Sequence, residues 1–168
     1  FPILILSFSG NAQNVNIPDA NFKAYLVANT QINTNSDTEI QVTEANAYAG
    51  QIYCSSQSIT DLTGIEEFTS LTTLDVAINQ LTSLDVSKNI NLERLYCYTN
   101  LLTTLDVSAN KHLWTLECYD NPLTETATNK ILADLVLNGV NDGELKFLNN
   151  ATGQGILDRA TLEASPRN

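Results

Sequence analysis

An asparagine recurs through the middle of the chain at positions 79, 89, 100, 110 and 121, in steps of 10, 11, 10 and 11 residues. Its surroundings recur with it. The segments that begin at Leu71, Leu81, Leu92, Leu102 and Leu113 all read LxxLxVxxN, with cysteine replacing valine in the third and fifth. Two half-turns therefore make one unit of 21 residues. A unit so short cannot bury its own apolar side chains. It must stack on copies of itself, and the chain between Leu71 and Leu123 must wind as a solenoid. A weaker unit precedes these, with Ile52, Cys54 and Ile59 at the matching places and a degenerate second half around Leu62 and Ile65.

The pattern also says which side chains point inward. In a short extended segment alternate residues face opposite ways. Stacking then predicts one column of Leu74, Leu95 and Leu116, and a second of Cys54, Val76, Cys97 and Cys118. On the other half-turn Leu84 pairs with Leu105, and Val86 with Val107. The three cysteines thus share a column with a valine, where a small apolar side chain is wanted, and are expected as free thiols. A Cys97–Cys118 disulfide between adjacent strands is the alternative. No CxxC pair or neighbouring histidine points to metal. Asn79, Asn100 and Asn121 fall where the chain turns, so their amides are expected to hydrogen-bond backbone of a neighbouring coil.

Composition narrows the partners. The chain has 168 residues, 43% of them hydrophobic, with a formal net charge of −11. A field of that sign repels phosphate backbones and anionic lipid surfaces. A single histidine leaves little room for histidine-based catalysis. The first nine residues are apolar and uncharged, and Gly10 and Ala12 occupy the −3 and −1 positions of a cleavage site before Gln13. Residues 1–12 are read as the remnant of a secretory signal whose start is missing. Removing them changes no charge.

The repeated segments resemble the leucine-rich repeat family, most closely its nested 21-residue class, in which both halves read LxxLxLxxN. The LTxLDVSxN and LxxLxCxxN alternation is similar to that of secreted surface proteins of Bacteroidetes, the flavobacteria in particular. The resemblance implies a leucine-rich repeat solenoid, with parallel β strands stacked in 21-residue coils, a helical N-terminal cap and an α/β C-terminal cap. It also implies an extracellular or cell-surface interaction module. The expected boundaries are a signal remnant at 1–12, an EF-hand-like cap at 13–50, repeats at 51–123 and a C-terminal cap at 124–168 that is cut short.

In the N-terminal cap the spacing predicts a helix from Ile17 to Val27. Pro18 stands at its first position, Asp19 favours the positive end of its dipole, and Phe22, Tyr25 and Leu26 face the first coil. The segment after it matches the spacing of an EF-hand loop. Asn33, Asn35 and Asp37 fall at positions 1, 3 and 5, Glu39 at 7, where the backbone carbonyl is the ligand, and Glu44 at the bidentate position 12. Only Asp37 and Glu44 bring charge to the ion, and Thr38 replaces the usual glycine. Two readings stay open: a weak calcium site, or a metal-free helix–loop–helix lid. In the C-terminal cap a helix is expected after Thr126 or Thr128 as N-cap. Its apolar face is Ile131, Leu132, Leu135 and Val136, and Asn138-Gly139 is its stop. A strand at 143–148, a turn and a second helix from Ile156 follow.

The outward residues of the cysteine half-turn carry the candidate site. Tyr53, Asp75, Arg94, Tyr96, Tyr98, Glu117 and Tyr119 stack on one face, with Trp114 at its edge. Tyrosine, tryptophan and arginine dominate binding hot spots. This face is read as the binding surface for a protein or glycan, against the alternative that tyrosines simply shield a parallel sheet. The opposite half-turn, with Asp85 and Asp106 among serines and threonines, reads as a solvated face. No phosphate loop, HExxH or GxSxG occurs, and His112 has no partner set by a recognised motif, so no enzyme is expected. Neither a cofactor nor a nucleic-acid or membrane partner is expected, and the chain is read as a monomer. The competing functional reading is a structural spacer or targeting module of a larger exported protein.

Overall fold

A computed structural model of the chain describes residues 13–139 and the backbone of residues 144–146. The signal remnant at 1–12, the turn after residue 148 and the helix expected from Ile156 lie outside the described residues.

The elements in order are α1 (Ala20–Ala28), α2 (Val42–Ala47), β1 (Gln51–Tyr53), a 3-10 turn (Ile65–Glu67), β2 (Thr73–Asp75), β3 (Arg94–Tyr96), β4 (Thr115–Glu117), α3 (Glu125–Leu137) and β5 (Glu144–Lys146). The strands form one parallel sheet in sequence order, β1 to β5. Its register follows the repeat. Leu74 pairs with Leu95 and Leu95 with Leu116, 21 residues each, whereas the first step, Ile52 to Leu74, takes 22. The step from Leu116 to Leu145 is longer because α3 intervenes. The fold is a leucine-rich repeat solenoid.

The predicted columns are the core. Leu74, Leu95 and Leu116 are fully buried, as are Cys54, Val76, Cys97 and Cys118. On the far half-turn Val86 and Val107 are sealed off, and Leu84 and Leu105 nearly so. Phe68, which follows the degenerate second half of the first coil, is fully buried in the same core.

Asparagines hold the turns. The Asn100 amide donates to the carbonyls of Val76, Cys97 and Tyr98, while its Oδ1 accepts from Leu81 N at 3.0 Å. Asn79 and Asn121 repeat this arrangement one coil behind and one coil ahead. The residues before Asn79, Asn100 and Asn121 are left-handed: Ile78, Thr99 and Asp120 have φ between 52° and 54°, and Ser56, before Gln57 at the matching place of the first coil, has 58°. Non-glycine residues rarely accept that conformation, and here the asparagine bonds next door offset its cost. A second ladder stands on the other half-turn, where Asn89 donates to Ile65 and Phe68 carbonyls and Asn110 to those of Val86 and Asn89.

The caps differ in detail from the sequence expectation. Helix α1 starts two residues later than Pro18, because Asp19 is its N-cap and accepts from Asn21 N and Phe22 N, both at 2.9 Å. The other Asp19 oxygen accepts from Thr60 N and Thr60 Oγ1, tying the cap to the first coil. Phe22 and Leu26 are buried as expected, and Tyr25 is half-buried. Helix α3 is capped by Thr124, whose hydroxyl accepts from Ala127 N, so Thr126 and Thr128 fall inside its first turn. Its buried stripe is Ala127, Thr128, Ile131, Asp134 and Leu135. Val136 sits one residue, about 100° of helix, beyond Leu135 and is exposed. The Asn138-Gly139 stop is as expected, with Gly139 at φ 76°.

Candidate strand-face binding site

Parallel registry places Tyr53, Asp75, Tyr96 and Glu117 in one row across β1 to β4. Two residues further along each strand, the row holds Ser55, Ala77, Tyr98 and Tyr119. The Tyr98 and Tyr119 rings stack with centroids 4.6 Å apart and planes 4° from parallel. At the opposite edge of the face the Arg94 guanidinium lies over the Trp114 ring, 4.2 Å from its centroid. The Glu93 carboxylate stands 3.9 Å from Arg94 Nη1. The repeat causes the tyrosine stack, since neighbouring coils superpose equivalent positions about 4.8 Å apart, close to ring-stacking distance; Arg94 is in register with Thr115 and meets Trp114 diagonally.

The face is narrower than simple alternation suggests. Thr73, Ala77 and Thr115 point away from the main core cluster yet are buried, and Glu117 keeps only 9% of its surface. The Thr73 hydroxyl is buried without a hydrogen-bond partner. Tyr53, at 52% exposure, and Trp114, at 42%, are the open aromatic side chains. Asp75 is half-buried, and its Oδ1 accepts from Ala77 N at 3.0 Å. Burial pushes the Asp75 carboxyl above its ordinary value; the Ala77 bond pulls the other way, and the negative charge of Glu117 adds to the rise. One contributor was not legible in the sequence. Tyr25, read only as cap core, brings its hydroxyl to this corner and accepts from Tyr53 N at 3.0 Å.

On the far half-turn Ser83, Asp85, Ser87, Thr104, Asp106 and Ser108 are exposed. Asp106 bonds Ser108 and Lys130, which hold its carboxyl down to about 2. His112 is exposed.

The EF-hand-like loop is closed on itself. One Glu44 oxygen accepts from Thr34 N, Thr34 Oγ1 and Asn35 N, and the other from Gln41 N, the first turn of α2. Burial would raise the Glu44 carboxyl, but these bonds outweigh it and hold it below its ordinary value. Asn35 donates to Asp37 Oδ2 and Gln41 Oε1, and Asp37 Oδ1 accepts from Glu39 N. The Glu39 carboxylate is drawn off to Lys23 at 2.7 Å. Asn33 is buried and spends its amide on the carbonyls of Val27 and Asp37. The Asp37, Glu39 and Glu44 carboxylate oxygens thus serve backbone and side-chain donors and Lys23, while the buried Asn33 Oδ1 has no hydrogen-bond partner. Among the described residues no group of three or more His, Cys, Asp or Glu is placed to hold a metal ion.

The cysteines are free thiols, all buried. Burial pushes Cys54 and Cys118 up to about 12 and raises Cys97 well above its ordinary value.

A parallel solenoid with asparagine-locked turns and a flat strand face defines a leucine-rich repeat protein, and comparison with solved structures agrees. The chain is similar to the functional domain of InlJ from Listeria monocytogenes, described as including a cysteine ladder, with 36% identity and a TM-score of 0.64 over 83% of this chain and 28% of that one. It also shares its fold with the internalin InlF of Listeria monocytogenes, at 24% identity and a TM-score of 0.61 over 77% of this chain and 38% of that one. The chain thus spans well under half the length of the solved chains it matches. No family model matches it, and no curated protein does. Among the described residues no helix is long and apolar enough to cross a membrane.

Proposed function

We propose that the chain is an exported binding module, not an enzyme, and that it recognises a protein through the strand face bearing Arg94, Trp114, Tyr98 and Tyr119. The observation that carries this reading is the pairing of ring with ring and of guanidinium with ring between consecutive coils on that one face, while the strand positions of the far half-turn, Ser83, Asp85, Ser87, Thr104, Asp106 and Ser108, carry small polar and acidic side chains. Stacked rings are already ordered, so a partner docking on them loses little further side-chain entropy. The same face is open to a glycan, with protein the better fit because arginine and tryptophan are hot-spot residues of protein interfaces. The uncharged apolar run at residues 1–9 and the likeness to InlJ support a secreted or cell-surface location. The 21-residue period supports placement with the nested class of secreted Bacteroidetes repeat proteins.

The test is face-specific capture. Immobilised chain is exposed to a panel of purified extracellular protein domains, and saturable binders are re-measured with two variants. Tyr98→Ala/Tyr119→Ala should abolish capture, and Asp85→Ala/Asp106→Ala on the opposite half-turn should retain it. Equal loss from both variants, or from neither, sinks the reading. A partner domain adjoining this chain that binds alone would favour the spacer reading instead.

A further inference from the structure

We infer that Tyr53, Asp75 and Tyr96 form a receptor for one arginine side chain of the protein partner. The inference rests on the strand face being the binding surface and names what one corner of it takes.

The register alone builds the arrangement. Asp75 is paired on one side with Tyr53 and on the other with Tyr96, so an acid stands between two tyrosines on three adjacent strands. The outer strands are two spacings apart, roughly 9.6 Å. That is wide enough for a planar guanidinium to lie against one ring and pair with the carboxylate. One Asp75 oxygen is held by Ala77 N, which fixes the carboxylate in place. The Tyr25 hydroxyl, at the same corner, anchors the backbone of Tyr53. The Thr73 hydroxyl, two residues back on the same strand, is buried with no hydrogen-bond partner.

The charge pattern says what is wanted there. Arg94 is the only basic residue on the described strands β1 to β4, and it is turned onto Trp114 and Glu93 instead of toward Asp75. Asp75 meanwhile stands half-buried in the field of Glu117 on the same row. The row's own base, Lys146 on β5, is in register with Glu117, three strands from Asp75; a cation from outside would offset the burial of the Asp75 charge, and the whole chain, at −11, attracts one. Arginine fits better than lysine because its fork offers a flat face to the rings and an edge to the acid in the same pose.

The probe is the peptide acetyl-Gly-Arg-Gly-amide, titrated into isotope-labelled protein and followed by NMR. Its controls are the citrulline analogue, equal in shape but uncharged, and the lysine analogue. The expected result is saturable shifts of the Tyr53, Asp75 and Tyr96 amides, with citrulline and lysine about ten-fold weaker. Asp75→Asn keeps the oxygen that accepts from Ala77 N, so it should stay folded, and it should bring the arginine peptide down to the citrulline level. Tyr53→Ala gives a second reading at an exposed position. Equal binding of arginine and citrulline, no shift with any peptide, or an undiminished Asp75→Asn variant would each overturn the receptor. A partner whose capture falls with Tyr98→Ala/Tyr119→Ala but not with Asp75→Asn would remove the receptor and leave the face standing.

Discussion

Each ladder asparagine ties two coils together through one side chain. Asn100 is buried and satisfies groups from two coils at once: the Leu81 N–H and the Val76 carbonyl behind it, and the Cys97 and Tyr98 carbonyls of its own coil. Asn100→Ala would leave the Leu81 N–H buried without a partner, at about 1–3 kcal/mol, and would strip one donor each from the Val76, Cys97 and Tyr98 carbonyls, which keep Asn79 Nδ2, Asn121 Nδ2 and Ile78 N. Urea unfolding should show a loss of about 2 kcal/mol or more, whereas the exposed Asn91, with its single bond to Thr69, should cost under about 1 kcal/mol. A loss at Asn100 no larger than at Asn91 would refute the ladder's role. Asp106 makes a different prediction, in pH. Its folded pKa, about 2, is lower than an unfolded aspartate's. Its contribution is therefore complete above about pH 4 and fades as pH falls toward 2. Its side chain is 64% exposed, so screening keeps the effect small. Asp106→Ala should lower the urea midpoint slightly at the upper end of that window and change nothing at its lower end, which flattens the drop between them.

Among the elements, strands and helices were legible in the sequence to unequal degrees. The strand columns were plain because a 21-residue period admits one inward set, and that set is what the fold buries. Helix ends were not. Pro18 looked like a first helical residue, yet Asp19 capped α1 because its second oxygen was also needed by Thr60, a contact 41 residues away in sequence. The Glu39 side chain, which the loop spacing leaves unassigned, pairs with Lys23, a neighbour supplied only by the fold. Tyr25 escaped notice at the binding face because nothing local links it to Tyr53. Asp19→Ala tests the double duty. It should cost about 2 kcal/mol or more, above the usual single N-cap, since it frees Phe22 N and Thr60 N together. A cost of about 0.5 kcal/mol would mean that α1 and the first coil hold together without it. The loop from Asn33 to Glu44 gives its own test. With Glu44 already committed to four donors, millimolar calcium should raise the melting temperature no more than equal magnesium. A calcium-specific rise would show that the loop opens its carboxylates to an ion.

At the scale of the whole molecule, the sheet carries its cysteines where oxidants cannot easily reach. All three thiols are buried, and burial pushes two of them up to about 12. A thiol reagent at pH 8 should leave the native protein unmodified for as long as it stays folded, and should count three groups in denaturant. Fewer than three would establish a disulfide after all. The sheet also has a sealed beginning. Its first strand would offer an open edge to any passing chain, but Tyr25 takes up the Tyr53 N–H there. Between that sealed start and α3, every coil meets the next through the same few bonds: an asparagine oxygen reaching back, an amide gripping the carbonyls, a leucine on a leucine. A gene encoding such a chain could gain or lose 21 codons in its middle and still specify matching surfaces on both sides of the join. Length, and with it the span of partner that can be gripped, is then a heritable variable that changes by whole steps without any new chemistry being invented.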